Sequence, residues 1–527
     1  MIWQIKEQKA LDLVEQLLIN RGLKKKEDIE AFFTPKIEYF QKQIQLPGIT
    51  KTLKRIDQAI EKQELIIVYG DYDVDGVCAS AIMYKSLTAL GAKILPYIPH
   101  REKEGYGLSK TGLEFARDSG ASLVITVDNG IVALDQALFA KEIGLELIIT
   151  DHHLPLETLP EAFSIVHSTE MCGTAVAWCL MKDKISETLA KELLELVAIA
   201  TIADLMPLMG INRSFVWEGL KVLNKTKNIG LQELIRQSGV EIGKITAYEI
   251  GHVISPRINA IGRLEHAIDA LRLVCTKDLI KARRLAKLLC DTNTKRQQIT
   301  MQSVDEARLM IQKDKRVHVM WSDKWNPGII GLIAGRITEE LYSPSLAISV
   351  ADGKAKGSAR SIDGINIVEV LRQTSDLLID IGGHSGAAGF SLEEKNLEAF
   401  KIRVESLVDN IEVISEKVLN IEAEVDSEML SKSLVKKLDQ FAPFGYKNPP
   451  VLLATRGMQI SEVRTLSDGK HLKFRANGID AIAFGLGDLS KKMVNTEKAD
   501  IAYTLEINEF RGNQNLQLKV KDIQLTL

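Results

Sequence analysis

Four short stretches of the chain gather carboxylates and imidazoles at the ends of apolar runs. Asp71, Asp73 and Asp75 follow the apolar run Leu65 to Gly70 in LIIVYGDYDVDG, Asp128 follows Leu123 to Val127 in LVITVDNG, and Asp151, His152 and His153 follow Leu147 to Thr150 in LELIITDHH. A further acid, Asp204, closes the apolar run Leu193 to Ala203 in ATIADLMPL, where a helix C-terminus disfavours a carboxylate and a cation would restore balance. Carboxylates gathered at one edge repel one another by on the order of several kcal/mol unless cations neutralise them. Carboxylate and imidazole without thiolate favour Mn2+ or Mg2+ over structural zinc. Asp73, Asp75, Asp128, His152 and Asp204 exceed what one ion needs. Two ions about 3.5 to 4 Å apart, bridged by a shared carboxylate, use the set fully and activate a water for attack on phosphorus. Asp128, central in the set, is the expected bridge, with Asp71, Asp151 and His153 close by.

Each cluster needs an element to aim it. Strands are predicted at 65–69, 93–98, 123–127 and 145–150, with a short one at 164–167, alternating with helices from Gly76, near 109–118 and at 131–143. Such alternation means a parallel sheet covered by helices, and open α/β sheets keep their sites at the carboxyl ends of the strands. The expected organisation is an N-terminal helical extension (1–50), a catalytic α/β domain (51–267) and a connecting helix (268–312) carrying Lys281, Arg283, Arg284, Lys287, Lys295 and Arg296. A second, smaller α/β domain (313–410) and a linker with a small barrel (411–527) complete it. In the second domain, strands at 317–321, 345–350 and 377–381 lead into glycine-rich turns, whose backbone N–H groups would face an anion beside Ser358, Arg360 and His384. The tail carries five predicted strands at 451–454, 471–475, 479–484, 500–507 and 515–520, the size of an oligonucleotide-binding barrel. Its Phe474, Phe484 and Phe510, with Lys470, Lys473, Arg475 and Arg511, are candidates to stack bases and meet phosphates.

Composition excludes rather than assigns. A net charge of -3 over 527 residues announces no global nucleic-acid or membrane partner, so any basic groove must be local. The N-terminus lacks an apolar signal core and no apolar run is long enough to span a bilayer, which predicts a cytoplasmic protein without a membrane partner. Five cysteines without a CxxC pair are expected to be reduced, buried thiols. A calcium loop is excluded at DYDVDG because a strand precedes it and Ile82 stands where the bidentate Glu is needed. There is no GxxxxGK[ST] loop for nucleotide hydrolysis and no GxGxxG at DYDVDG for a dinucleotide.

VYGDYDVDG, VITVDNG, IITDHH and ATIADLMPL resemble the four successive motifs of the DHH phosphoesterases, and GGHSGAAGF resembles the glycine-rich motif of the DHH-associated (DHHA1) domain. Within that superfamily SPRINAIGRL, PHREKEGYGL, GSARS and PFGYKNPP are similar to segments of the bacterial single-strand-specific exonucleases. The likeness covers nearly the whole chain. It implies a 5′ to 3′ exonuclease releasing mononucleotides from single-stranded DNA in repair and recombination. It also implies two lobes joined by a long helix, and an OB-like barrel that encloses the strand. By motif position it makes Asp73, Asp75, Asp128, His152 and Asp204 ligands of two Mn2+ or Mg2+ ions, sets His153 on the scissile phosphate with Asp151 orienting its neighbours, and places Asp71 among the catalytic acids. It assigns Arg101, Arg257, Ser358 and Arg360 to the DNA backbone or its 5′ phosphate, with His384 beside them. A helicase or a single-strand-binding protein would be a natural partner. Two departures stand out: Asn326 replaces a usual His in WNPGIIG, and the segment between Val166 and Cys172 is shorter. The rival readings are a DHH enzyme for short oligonucleotides or cyclic dinucleotides, which needs no added barrel, and a non-catalytic binding relative, which needs no intact carboxylates.

Overall fold

The alternation after Glu64 folds into five strands, β1 (Leu65–Tyr69), β2 (Lys93–Tyr97), β3 (Ala121–Val127), β4 (Glu146–Asp151) and β5 (Ser164–His167). They form a wholly parallel sheet in the order β2-β1-β3-β4-β5. The chain crosses from β2 back past β1 to β3, so the strand order reverses beside β1, the place where open α/β sheets open a crevice. Ile66, Ile67, Val68, Val124 and Ile125 are fully buried because helices cover both faces. Each such side chain contributes about 1.5–3 kcal/mol.

A computed structural model gives this architecture and describes residues 1–41, 44–101, 103–312, 314–412, 416–494, 496–510 and 512–525. It divides into two units, one of Gln43–Met206 with Glu218–Ser415, the other of Met1–Lys42 with Pro207–Trp217 and Glu416–Leu527.

In the first unit, helices α1 (Val74–Ala89), α2 (Gly173–Met181) and α3 (Leu194–Ala203) pack together. α1 is buried nearly all round, and Asp73 caps it by accepting a bond from the Gly76 N–H at 3.0 Å. Further on come α4 (Ser255–Leu264), entered through a π-helical turn at Ile250–Ile254, and α5 (Leu279–Met310). The 32 residues of α5 span about 48 Å. The periodicity predicted one helix over 268–312; instead Ile268–Cys275 is a separate helix, and Asp278 starts α5 by accepting from the Ile280 and Lys281 N–H groups. An N-cap acid thus breaks a run that contains neither Pro nor Gly.

The second sheet comprises β6 (His318–Ser322), β7 (Ser345–Ala351), β8 (Lys354–Arg360), β9 (Leu378–His384) and β10 (Ala387–Glu393), ordered β9-β10-β8-β7-β6. Helix α6 (Ile330–Leu341) packs on β7 and β8. Here one expectation fails: GKAKGSARS is no glycine-rich anion loop but mostly β8, which pairs along both edges with β7 and β10. Gly357 is small because a Cβ there would come 2.1 Å from the Phe390 ring, so its role is core packing.

In the other unit, strands β11 (Ala423–Glu424), β12 (Leu453–Leu466), β13 (His471–Ala476), β14 (Ile479–Ala483), β15 (Lys498–Phe510) and β16 (Asn513–Leu525) form one sheet. Pairing of β12 with β15 closes it into a barrel. β12 runs far beyond the predicted 451–454 because it bends through two register shifts, the first beside Gly457 at φ 59°. The N-terminal segment joins this unit: Ile2–Ile5 pairs in parallel with Val418–Ile421, and Leu17 and Phe32 share a core with Phe441, Leu472 and Phe474. All five cysteines are free; Cys78, Cys172 and Cys179 are buried, whereas Cys275 and Cys290 are half-buried, against expectation.

Candidate active site

β1, β3 and β4 are neighbours, with Tyr69 opposite Thr126 and Val127 opposite Thr150. Their acidic ends therefore fall side by side, at strand spacings of about 4.8 Å. Three groups of ligand atoms, each within 4.8 Å of one another, result: Asp71, Asp73 and Asp128; Asp128, His152 and His153; Asp75, His152 and Asp204. Asp128 and His152 each belong to two groups, so the groups form one continuous centre.

Local structure aims each side chain. Asp75 accepts from the N–H groups of Gly173 (2.7 Å) and Thr174 (2.8 Å), so the start of α2 holds its carboxylate. A Cβ on Gly173 would lie 2.7 Å from Asp128 Oδ1, which explains the glycine. Gly76 is required likewise, since its Cβ would lie 2.6 Å from the Asp71 backbone. Asp128 adopts φ 63°, a left-handed conformation costing on the order of 1 kcal/mol, while its N–H donates to the Thr150 carbonyl. Asp204 caps the C-terminal end of α3 before Leu205 turns the chain at φ 53°.

Burial and neighbouring carboxylates push Asp71 and Asp128 well above the ordinary carboxylate range, and Asp204 up to about 8. Both Asp71 oxygens, Asp128 Oδ1 and His152 Nε2 are buried without a hydrogen-bond partner among the described residues. Orphaned acceptors of this kind, all hard oxygen or imidazole donors, fit divalent ions of the Mn2+ or Mg2+ type. His153 differs: burial opposes its charge, but the 2.8 Å bond between its Nδ1 and Asp151 Oδ1 outweighs this and holds it up to about 9. Asp151 also accepts from the N–H groups of Ile131, His152 and His153, so it orients the histidine pair. His167 lies between Val166 and Cys172 and its Nε2 meets the His153 carbonyl at 2.7 Å.

Cations converge from both α/β domains of this unit. Arg101 stacks over the Tyr72 ring at 4.7 Å, and its charge opposes in small part the rise that burial and Asp73 impose on Asp71. Arg263, on α4, donates to the Gly328 carbonyl at 2.9 Å. Burial and the charges of Arg101, Arg296 and Arg360 pull it down to about 10. Arg257 donates to the Val253 carbonyl and its Nε is buried without a partner. Arg360 Nη1 donates to Ser358 Oγ at 2.9 Å, and a Cβ on Gly331 would come 3.0 Å from Arg360 Nη2. His384 is exposed; it pairs with Ala387, which pairs with Arg360, so it shares that sheet face two strands away. Asn326 Oδ1 accepts from the Gly328 N–H at 2.7 Å, an Asx turn beside Arg263.

The sequence reading missed Arg263 and Tyr106 and took Arg296 for part of a solvated stripe. Tyr106 Oη lies 3.0 Å from His153 Nε2 and donates to the Asp128 carbonyl at 3.2 Å. Both missed residues lie inside SPRINAIGRL and PHREKEGYGL, the only signal available. Lys281, Arg283, Arg284, Lys287 and Lys295 are indeed exposed. In the barrel Phe474 is core, 1% exposed, whereas Phe484 is 53% exposed and packs edge-on against His471. Lys473 and Arg475 both pair with Asp480, and the Phe510 side chain and Arg511 lie outside the described residues.

Family models match three stretches: the DHH family N-terminal domain at 65–201, the DHHA1 domain at 314–410 and the RecJ OB domain at 421–522. Over 97% of its length the chain is 35% identical to the single-stranded-DNA-specific exonuclease RecJ of Bacillus subtilis, spanning 67% of that protein. It is 32% identical to the one of Salmonella typhimurium, with 97% of this chain and 95% of that protein covered. Among solved structures, RecJ of Thermus thermophilus in complex with Mn2+ superposes with a TM-score of 0.87 at 28% identity, covering all of this chain and 80% of that one.

Proposed function

The chain belongs to the RecJ family of DHH phosphoesterases, and we propose that it degrades single-stranded DNA from the 5′ end, releasing 5′-mononucleotides with the help of two divalent ions. The observation that carries this reading is the centre of unpartnered Asp71, Asp128 and His152 atoms with the Arg101 and Arg263 guanidiniums close by and Arg360 near Arg263. Acids that need cations beside cations that need anions suit a phosphodiester lying across bound metal.

Asp73, Asp75, Asp128, His152 and Asp204 would hold the ions, with Asp71 beside them. When bound, the ions polarise the phosphate and lower the pKa of the attacking water. The water oxygen bonds to phosphorus as the bond to the 3′ oxygen of the terminal nucleotide breaks, and that oxygen leaves with a proton. The shortened strand keeps a 5′ phosphate, so the next cycle begins from the same chemical end. His153, held cationic by Asp151, faces the scissile phosphate, and Tyr106 limits its rotation. Ser358 and Arg360 take the terminal phosphate through their side chains, with Arg101, Arg257 and His384 along the backbone.

No helix of the described residues is long and apolar enough to cross a membrane. We infer a cytoplasmic enzyme working with a helicase or a single-strand-binding protein, since a nuclease that accepts only single strands depends on something that exposes them. The test offers purified protein with Mn2+ labelled single strands, duplex, cyclic dinucleotide and pyrophosphate in parallel. Mononucleotides released from the single strand alone support the reading, and faster turnover of cyclic dinucleotide or pyrophosphate refutes it.

A further inference from the structure

A cavity of about 1040 Å3 opens at the ends of α1 and α3 that lie away from Asp75 and Asp204. Lys85 lines it on α1 and Glu195 on α3, whereas Asp75 and Asp204 lie at the opposite ends of those helices. Ten residues of helix separate Asp75 from Lys85, about 15 Å, so the two sites are distinct.

Six lysines line the cavity: Lys85, Lys191, Lys221, Lys225, Lys227 and Lys277. Glu187, Glu192 and Glu218 stand among them, with Lys221 3.1 Å from Glu218 and Lys227 3.5 Å from Glu192. Six cations against four acids, Glu195 among them, leave the wall positive; Lys191, Lys225 and Lys277 make no ion pair among the described residues, and Lys85 faces Glu195. The start of α3 lies at the same space, whereas the helix Ile229–Gln237 beside it is already capped by Asn228 Oδ1, which accepts from the Gly230 and Leu231 N–H groups.

Beneath this basic rim lies a carboxyl group. Glu195 is 5% exposed, lies beside Thr226, Asn228 and Lys85, and its Oε2 is left without a partner among the described residues. Burial pushes its carboxyl up to about 7. A purely anionic ligand would satisfy the lysines and be repelled by the ionised form of this group. The fitting ligand carries phosphate at one end and an N–H or O–H donor at the other, and is large enough to reach both. Tyr84, Val222 and Ile229 add an apolar wall on which a planar ring packs.

We propose that this cavity binds a nucleotide, its phosphate on the lysines and a donor of its base or sugar on Glu195. The lysine rim meets the charge, and the buried acceptor reads the other end.

Calorimetric titration of the full chain in EDTA, with the four deoxynucleoside 5′-monophosphates, a dinucleotide and pyrophosphate, tests this. At least one nucleotide should bind with a Kd below about 100 µM. Glu195→Ala should weaken that binding about tenfold while leaving any pyrophosphate binding unchanged. Because Glu195 is buried, the double charge reversal Lys85→Glu with Lys225→Glu, on more accessible side chains, provides a second reading and should weaken nucleotide and pyrophosphate alike. Binding of a mononucleotide marks a site for the free molecule, and binding of the dinucleotide alone marks one for a strand end; either upholds the proposal. No nucleotide binding in EDTA, or binding that survives the double charge reversal, overturns it.

Discussion

His152 Nε2 lies 3.1 Å from Asp128 Oδ1, yet neither atom has a hydrogen-bond partner among the described residues. The same imidazole nitrogen is 3.6 Å from Asp75 Oδ2 and 3.7 Å from Asp204 Oδ2. A neutral imidazole nitrogen ringed by carboxylate oxygens is a ligand arrangement, and burial keeps His152 in its neutral form.

Metal binding should therefore stabilise the fold. An ion at 100 times its Kd contributes about 2.7 kcal/mol, which raises the melting temperature by several degrees in a domain of this size. Differential scanning calorimetry in EDTA and in Mn2+ measures the difference. Equal melting temperatures would mean that the acidic centre binds no ion.

Asp151 touches His153 and the backbone of three residues. Asp151→Asn should leave KM for single strands nearly unchanged while lowering kcat about 10- to 100-fold, the usual effect of losing an orienting partner. Steady-state kinetics on a short single strand separate the two parameters. A change confined to KM would place Asp151 in strand binding.

Arg360 sits on a paired strand rather than in a backbone cradle, so end recognition rests on its guanidinium and Ser358. Arg360→Ala should slow cleavage of 5′-phosphorylated strands strongly and of 5′-hydroxyl strands much less. Initial rates on both substrates in both proteins decide it. Equal slowing would make Arg360 a general backbone contact, with Arg101 and Arg257 next in line for the terminal phosphate.

Phe484 is an exposed aromatic of the barrel. Phe484→Ala should weaken binding of long single strands by about 1–3 kcal/mol and spare cleavage of very short oligonucleotides. Truncating the barrel would be a poorer probe, because Leu17 and Phe32 share its core. Equal losses on long and short substrates would detach Phe484 from strand binding.

The gathering of the acids was legible because each ends an apolar run, and a strand's end fixes where its last residue lies. The parallel sheet was legible for the same reason. Arg263 and Tyr106 were not, since nothing local to α4 or to the loop before Ser109 tells that Arg263 comes near the acids or that Tyr106 meets His153. β8 was mistaken for a loop because a glycine placed to admit the Phe390 ring looks, in sequence, like one placed to free the backbone. The break before α5 was hidden because Asp278 interrupts a helical pattern that composition alone leaves continuous.

Asp128 belongs to two of the three ligand groups, and no other residue except His152 does. The most direct measurement is therefore the rate of mononucleotide release from a single strand by Asp128→Ala in saturating Mn2+, beside circular dichroism and strand-binding affinity. Turnover below roughly a few per cent of the parent rate, with fold and much of the affinity retained, is the expected result, since removing a shared ligand disrupts both ions. Activity well above that level in a folded protein would contradict a two-ion centre built around Asp128.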